Sequence, residues 1–238
     1  MKNDVYTKRS EEIAELFSIW KNSRLDAMEK DKPFITDGIV CAEKWFSQQI
    51  RPLFLLKEAY GGTEDWDLAT DSLLAESLPL GTAWRRLTQW TWAILNTTEQ
   101  DIAQYEPSLF PTKRGNDMLK SVAVMNIKKY NGKKSSDMDE IREYARHDAE
   151  FLYKQLELTD PTVIICGYTI SALNEIMAAV GKPVVKDYSA PDDHFGYSLT
   201  LNGRKVTVID YYHPTNAFPD LPNYYGLAHC WQKALQRG

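Results

Sequence analysis

Cysteine is scarce in this chain. There are three in 238 residues, Cys41, Cys166 and Cys230, all far apart. No CxxC pair exists, which speaks against a zinc or iron–sulfur centre, and the low, odd count fits a reducing cytoplasm. Positive charge is also in short supply. Lys and Arg number 28 against 33 Asp and Glu, a net charge of −5. A broad phosphate-neutralising surface is excluded, so any nucleic-acid contact must come from a local patch. No apolar run approaches the roughly 18 residues a membrane span needs. The opening "MKNDVYTKRSEEIAELF" lacks the apolar core of a signal peptide. Repeats, low-complexity tracts and Pro/Gly-rich linkers are missing, which favours one domain over residues 1–238. So are the Walker A, GxSxG and strand-following GxGxxG motifs.

What is present is apolar and aromatic mass. Hydrophobic residues make up 43% and aromatics 12%, enough for a substantial core. Residues 10 to about 29 have helical periodicity, with Ile13, Phe17, Trp20 and Arg24 near one face and Ser10 as the cap. "FITDGIV" reads as a loop and "CAEKWFSQQI" as a short helix. "RPLFLLKEAYGG" is an apolar run that breaks into a charged pair and two glycines, the pattern of a buried strand entering a loop. Residues 63–80 are acidic and irregular. "TAWRRLTQWTWAILN" has helical spacing at Trp84, Leu87, Trp90 and Ile94. "SVAVMNIKKYNG" is a second apolar run. "SSDMDEIREYARHDAEFLYKQLEL" reads as one long helix with Ile141, Ala145, Leu152 and Leu156 along one side. "DPTVIICG" is a third strand, followed by a helix "TISALNEIMAAVG" closed by Gly181. Asn202 and Gly203 mark a hairpin whose second arm is "KVTVIDYYHP". Strands alternating with helices predict an α/β fold with a parallel sheet covered on both faces. The functional crevice of such a fold lies beyond the carboxyl ends of its strands. Those ends are residues 57–62, 126–132, 167–169 and 211–216.

Three of these ends carry short motifs: "LLKEAYGG" at 55–62, "VMNIKK" at 124–129 and "YHPTN" at 212–216. Together, in this order, they resemble the uracil-DNA glycosylase superfamily. Its members end one strand in GQDPY or GEAPG, a later one in an Asn, and a last one in HPS or a variant. The resemblance covers roughly residues 50–220 and leaves 1–50 as a helical extension. It implies a three-layer α/β/α fold with a central, mostly parallel four-stranded sheet. It also implies a hydrolase: a DNA glycosylase of base-excision repair that flips uracil or another damaged base from single- or double-stranded DNA and cuts its N-glycosidic bond. Neither a cofactor, a metal, an iron–sulfur cluster nor a membrane is implied. Against GEAPG, this chain has Lys57 for the first Gly and Tyr60 for Pro, whereas Glu58, Ala59 and Gly61 match. Ala59 stands where the best-known branch has its water-activating Asp. The four cysteines of the iron–sulfur branch are lacking, and Asp148 falls about where one would be.

Hydrolysis of an N-glycosidic bond develops negative charge on the departing base, and stabilising that charge is the main gain. A neutral His213 is a suitable donor to the base O2. Glu58 is placed to orient water or touch the base. Asn126 offers a donor and an acceptor together, which match the edge of uracil. Ala59 and Tyr60 are assigned with Asn126 to base binding, Tyr60 to stack on or wall off the extruded base. Lys57, Gly61, Lys128, Lys129, Thr215 and Asn216 are assigned to the DNA backbone, with Lys133, Lys134, Lys113 and Arg114 extending the basic patch. Plainer roles stand beside these. His213 is then a structural strand end, Asn126 a turn cap, Glu58 the partner of Lys57 in a solvated ion pair, the tyrosines core aromatics, and the lysines a solvated loop. His147, His194 and His229 have no metal-ligand spacing, and Trp84, Trp90 and Trp92 suit packing. Two other function classes remain: a non-catalytic nucleotide or nucleic-acid binder, and an N-glycosidase for free nucleosides or nucleotides.

Overall fold

The computed structural model describes residues 2–23, 31–186 and 196–237; Arg24 and His194 lie outside them. In chain order the helices are α1 Lys2–Ser23, α2 Ala42–Ser47, α3 Thr82–Asn96, α4 Asp117–Lys120, α5 Met138–His147, α6 Ala149–Thr159, α7 Ile170–Ala179 and α8 Asp220–Gln236. The strands are β1 Ile35–Thr36, β2 Gly38–Ile39, β3 Pro52–Glu58, β4 Trp66–Asp67, β5 Ala123–Lys128, β6 Val163–Gly167, β7 Val185–Lys186, β8 Gly196–Leu201 and β9 Arg204–Tyr211.

The sheet follows from strands that are apolar on both faces. Along β3, Leu53 and Leu55 join one hydrophobic cluster, and Phe54 and Leu56 join another. The first cluster takes Phe17 and Trp20 of α1, Ile141 and Ala145 of α5, Leu152 of α6 and Leu173 of α7. The second takes Leu87 and Trp90 of α3 and Leu227 and Trp231 of α8. Helices therefore cover both faces, as continuous apolar strands require. The strand order is β2-β5-β3-β6-β9-β8-β7. The central four, β5, β3, β6 and β9, are parallel. The flanking strands β2, β8 and β7 are antiparallel to their neighbours.

The sheet thus has seven strands where four are expected from sequence. "FITDGIV" is not a plain loop: Gly38 and Ile39 pair with Val124 and Ala123, and Ile35 and Thr36 pair with Trp66 and Asp67. Gly38 takes φ 128°, open to glycine and rare for other residues. The expected hairpin is present, with Asn202 at φ 50° and Gly203 at φ 75° between β8 and β9, the conformation of a type I′ turn. The first helix starts at Lys2 rather than at a Ser10 cap. Ser10 lies inside it, with its hydroxyl donating to the Tyr6 carbonyl at 3.0 Å, a bond that competes with capping. The long helix expected over residues 135–158 is two helices, α5 and α6, parted at Asp148. Asp148 is 1% exposed and its charge acts on Lys129, so the chain turns there to bring a carboxylate inward. The described residues before β3 pack on the core. Trp20 and Trp45 are fully buried, and the Trp45 indole donates to the Thr159 carbonyl at 2.9 Å.

Candidate active site

Strand order locates the crevice. The chain leaves β3 for β5 through α3 on one face, and leaves β6 for β9 through α7 on the other. β3 and β6 are neighbours, so the connections diverge between them. Ligands of open α/β sheets bind at such a point, outside the carboxyl ends of the strands. The flanking segments here hold Lys57 to Gly62 and Gly167 to Thr169, with the end of β9 next to β6.

His213 follows β9 by two residues. A Cβ on Gly167 would lie 3.5 Å from His213 Cα and 2.8 Å from a Leu56 methyl, so the missing side chain lets the His213 backbone settle over β6. The Thr215 backbone N–H donates to His213 Nδ1 at 3.3 Å, and the Thr215 hydroxyl lies 2.7 Å from the same nitrogen. Nδ1 therefore accepts, which puts the ring proton of the neutral form on Nε2. Burial first, and then the Lys57 charge, lowers the His213 pKa from 6.5 to about 4. The imidazole is neutral at neutral pH, and its Nε2–H has no hydrogen-bond partner among the described residues.

The loop after His213 is held from behind. Arg86, 5% exposed on α3, donates to the carbonyls of Pro214, Asn216 and Phe218 and pairs with Asp220 at 3.0 Å. Asn216 bonds through its amide to His213, Phe218 and Asn223. Its assignment to the DNA backbone is corrected accordingly: both ends of that amide are used in shaping the loop. Thr215 is exposed and remains accessible.

Three more assignments need correction. The Glu58 side chain is 1% exposed, and its Oε2 lies 3.2 Å from Lys128 Nζ. A Cβ on Gly132 would fall 2.2 Å from Glu58 Oε2, so Gly132 roofs the carboxylate. Glu58 is sealed from any attacking water and is not paired with Lys57 in solvent. Lys128, also 1% exposed, holds Glu140 at 2.6 Å as well. Lys129 is fully buried, with its ammonium 2.5 Å from Asp37 Oδ1. Neither lysine reaches a phosphate. An unpaired charge in the interior is very costly, and each strand-end lysine has folded back onto a carboxylate. The wider patch is thinned too, because Arg114 donates to the Ser72 and Pro79 carbonyls. Lys133 and Lys134 stay exposed.

The remaining residues divide. Asn126 is 3% exposed on β5, in register with Leu56. Its backbone N–H donates to Asp37 at 2.7 Å, while its side-chain amide has no hydrogen bond among the described residues. Its amide atoms are not among the fully buried unpartnered ones, so the amide opens to solvent and is available to a ligand. Tyr60 is 56% exposed at the rim. Ala59 packs partly against the α3-side cluster, and its carbonyl accepts from the Gly132 N–H at 2.8 Å. Gly61 takes φ 115°, and its N–H is spent on Asn131 Oδ1 at 2.8 Å, so it is not a phosphate donor. Lys57 is half-buried, with its ammonium 5.6 Å from the Tyr168 ring centroid. Burial lowers its pKa against the pull of Glu58.

Sequence reasoning missed two residues of this region. Asp210 and Lys57 line one cavity of about 460 Å³ together with Arg142, Tyr168 and Ser171. Burial raises the Asp210 carboxyl from 3.8 to about 6. The signal was available: Asp210 continues the inward register of Val206 and Val208 and breaks an apolar alternation. Tyr168 gave no such signal. It takes φ 59°, and its N–H donates to the Tyr211 carbonyl at 2.9 Å, tying the β6 end to β9. Its ring begins a chain of edge contacts to Tyr212 and on to Phe218. The plainer roles hold elsewhere. Tyr211 is a core residue whose hydroxyl donates to Asn223, Trp90 is buried, and the His147 side chain is 58% exposed.

Among the described residues no group of three or more His, Cys, Asp or Glu is placed to hold a metal, and no helix is long and apolar enough to cross a membrane. No protein-family model matches the chain, and no curated protein matches it significantly.

Proposed function

We propose that the protein is a divergent member of the uracil-DNA glycosylase superfamily, with that superfamily's three-layer α/β/α arrangement, and hydrolyses the N-glycosidic bond of uracil or another damaged base in DNA. The observation that carries this reading is His213. It is a neutral imidazole at the end of the last parallel strand, with Nδ1 occupied and Nε2–H unspent. A preorganised donor aimed where a base anion develops is what this chemistry demands of the protein. The idle amide of Asn126 supports the same site, because an extruded base edge would satisfy it. The exposed Tyr60, Tyr168 and Phe218 give unpaired bases aromatic faces to stack on.

One observation favours a second reading. With Lys128 and Lys129 buried and Lys133 and Lys134 left exposed, the rim keeps only part of the lysine patch that a long DNA contact would use. An N-glycosidase for free nucleosides or nucleotides needs no such rim.

The test is an alkaline-cleavage assay with single- and double-stranded oligonucleotides carrying one uracil, hypoxanthine, xanthine or oxidised pyrimidine. A parallel assay follows base release from the matching free nucleosides. The expected outcome is cleavage of one oligonucleotide class, lowered about 100-fold or more in His213→Ala and weakened in Asn126→Ala. Release from nucleosides alone would select the second reading. Cleavage unchanged in both variants would place the activity elsewhere.

A further inference from the structure

The carboxylate nearest the family's motif, Glu58, is closed off beneath Gly132, and Ala59 has no functional group. Hydrolysis still needs a base for its water. Asp210 is the acidic side chain in the cavity that also takes in two strand-end residues, Lys57 and Tyr168. It lies on β9, in register with Cys166 of β6. It has no hydrogen bond or ion pair with any described residue. Its cavity, about 460 Å³, has room for a nucleoside and water, and Lys57 stands in its wall. The Lys57 charge also acts on His213, so Lys57 joins the cavity to the imidazole. Asp210 is the penultimate residue of β9 and His213 lies two residues beyond its end, so the two are three positions apart, roughly 10 Å if the chain is extended. That span suits two groups acting on opposite ends of one bond.

We propose that Asp210 is the general base of this site, taking the proton from the water that attacks C1′. The inference rests on the glycosidase reading above. The water oxygen forms a bond to C1′ as the C1′–N bond breaks. The electron pair of that bond leaves with the base, whose O2 accepts from His213 Nε2–H. The water proton passes to Asp210 and later returns to the base nitrogen or to solvent. No oxidant, reductant or metal enters the balance.

The groups facing Asp210 are Lys57 from β3, Cys166 from β6, Tyr168 from the β6–α7 turn, Arg142 from α5 and the Ser171 hydroxyl from α7. Arg142 is already held by Asp139 and feels Glu175. No ion pair therefore keeps Asp210 ionised, and burial leaves it titrating at about 6, in the range where a general base works well near neutrality.

The experiment is the pH–rate profile of base release by wild type, Asp210→Asn, Asp210→Glu and His213→Ala, with binding of the uncleaved oligonucleotide measured alongside. Asp210→Asn keeps the side-chain shape, and a thermal melt confirms its fold. The expected result is a rate that rises through pH about 6 in wild type. Asp210→Asn should lose roughly 100-fold or more while still binding the oligonucleotide, and Asp210→Glu should restore part of the rate with a shifted profile. Wild-type rates in Asp210→Asn, with His213→Ala inactive, would overturn the role of Asp210 and leave the glycosidase reading standing. Inactivity of wild type on every substrate would remove both.

Discussion

Lys129 is fully buried with its ammonium against Asp37, and Asp37 also accepts from Gln155 at 2.9 Å and from the Asn126 backbone at 2.7 Å. Removing one partner of such a pair strands the other in the interior. Lys129→Met should therefore cost about 3–5 kcal/mol of stability, measured by urea unfolding. The double variant Lys129→Met with Asp37→Leu should recover a large part of that loss, because neither charge then remains. If Lys129 instead contacted DNA, the single variant would be as stable as wild type and would bind less tightly. At this scale the sequence was legible for His213 and silent on its neighbours. A histidine before a proline at a strand end is visible in one dimension. Lys128 and Lys129 look like a solvated tail because they follow an apolar run, and the acids that capture them, Asp37, Glu58 and Glu140, lie 12 to 92 positions away in sequence. Asp210 is different: it keeps the inward register of Val206 and Val208, so its placement could be read from the alternation along β9.

The turn between β6 and α7 concentrates conformational cost on one residue. Tyr168 adopts φ 59°, a region where a non-glycine residue carries strain on the order of 1–3 kcal/mol. Its ring is 48% exposed, so little burial is lost when it is removed. Tyr168→Gly should stay within about 1 kcal/mol of wild type, with relieved strain offset by backbone entropy. Tyr168→Val should lose more, roughly 1–3 kcal/mol, because a β-branched residue is hardest to hold there. Parallel denaturant titrations check the order; equal losses in the two would show that the ring and not the backbone sets the cost. The strands and the helix α3 were read with nearly their true bounds, since each is a continuous apolar or amphipathic run between clear breaks. The division of α5 from α6 was not legible. The apolar spacing carries on across Asp148, and only the buried position of its carboxylate betrays the turn. The two-residue strands β1, β2 and β4 are set by pairing across distant segments, which no local pattern records.

Across the whole molecule, two groups of the same strand end titrate against each other. His213 has a folded pKa of about 4 against an ordinary 6.5. The unfolded chain takes up its proton first, so stability falls as pH drops from about 6.5 to about 4. Asp210 has a folded pKa of about 6 against 3.8. The folded state holds its proton longer, so stability falls as pH rises through that range. The slopes oppose each other, so these two groups together add little net slope between pH about 4 and about 6. His213→Ala should lose stability as pH rises there, and Asp210→Asn should gain it, both followed by urea midpoints. Parallel slopes in the two variants would contradict the opposed shifts. The α/β class and the parallel core could be read from the alternation of runs, whereas the order β5-β3-β6-β9 could not, because neighbours in a parallel sheet are chosen by crossovers and not by local sequence. That order has a consequence for how the chain is made. β9 is the last of the parallel strands to be synthesised, yet it lies inside the sheet, between β6 and β8. Until residues 204–211 emerge from the ribosome, the apolar run of β6 has no neighbour on that side and stands as an open edge, the kind that other chains can pair with. The same late segment carries Asp210 and leads into His213. The nascent protein therefore closes its sheet only in this last step, and a chain stalled earlier keeps an adhesive edge.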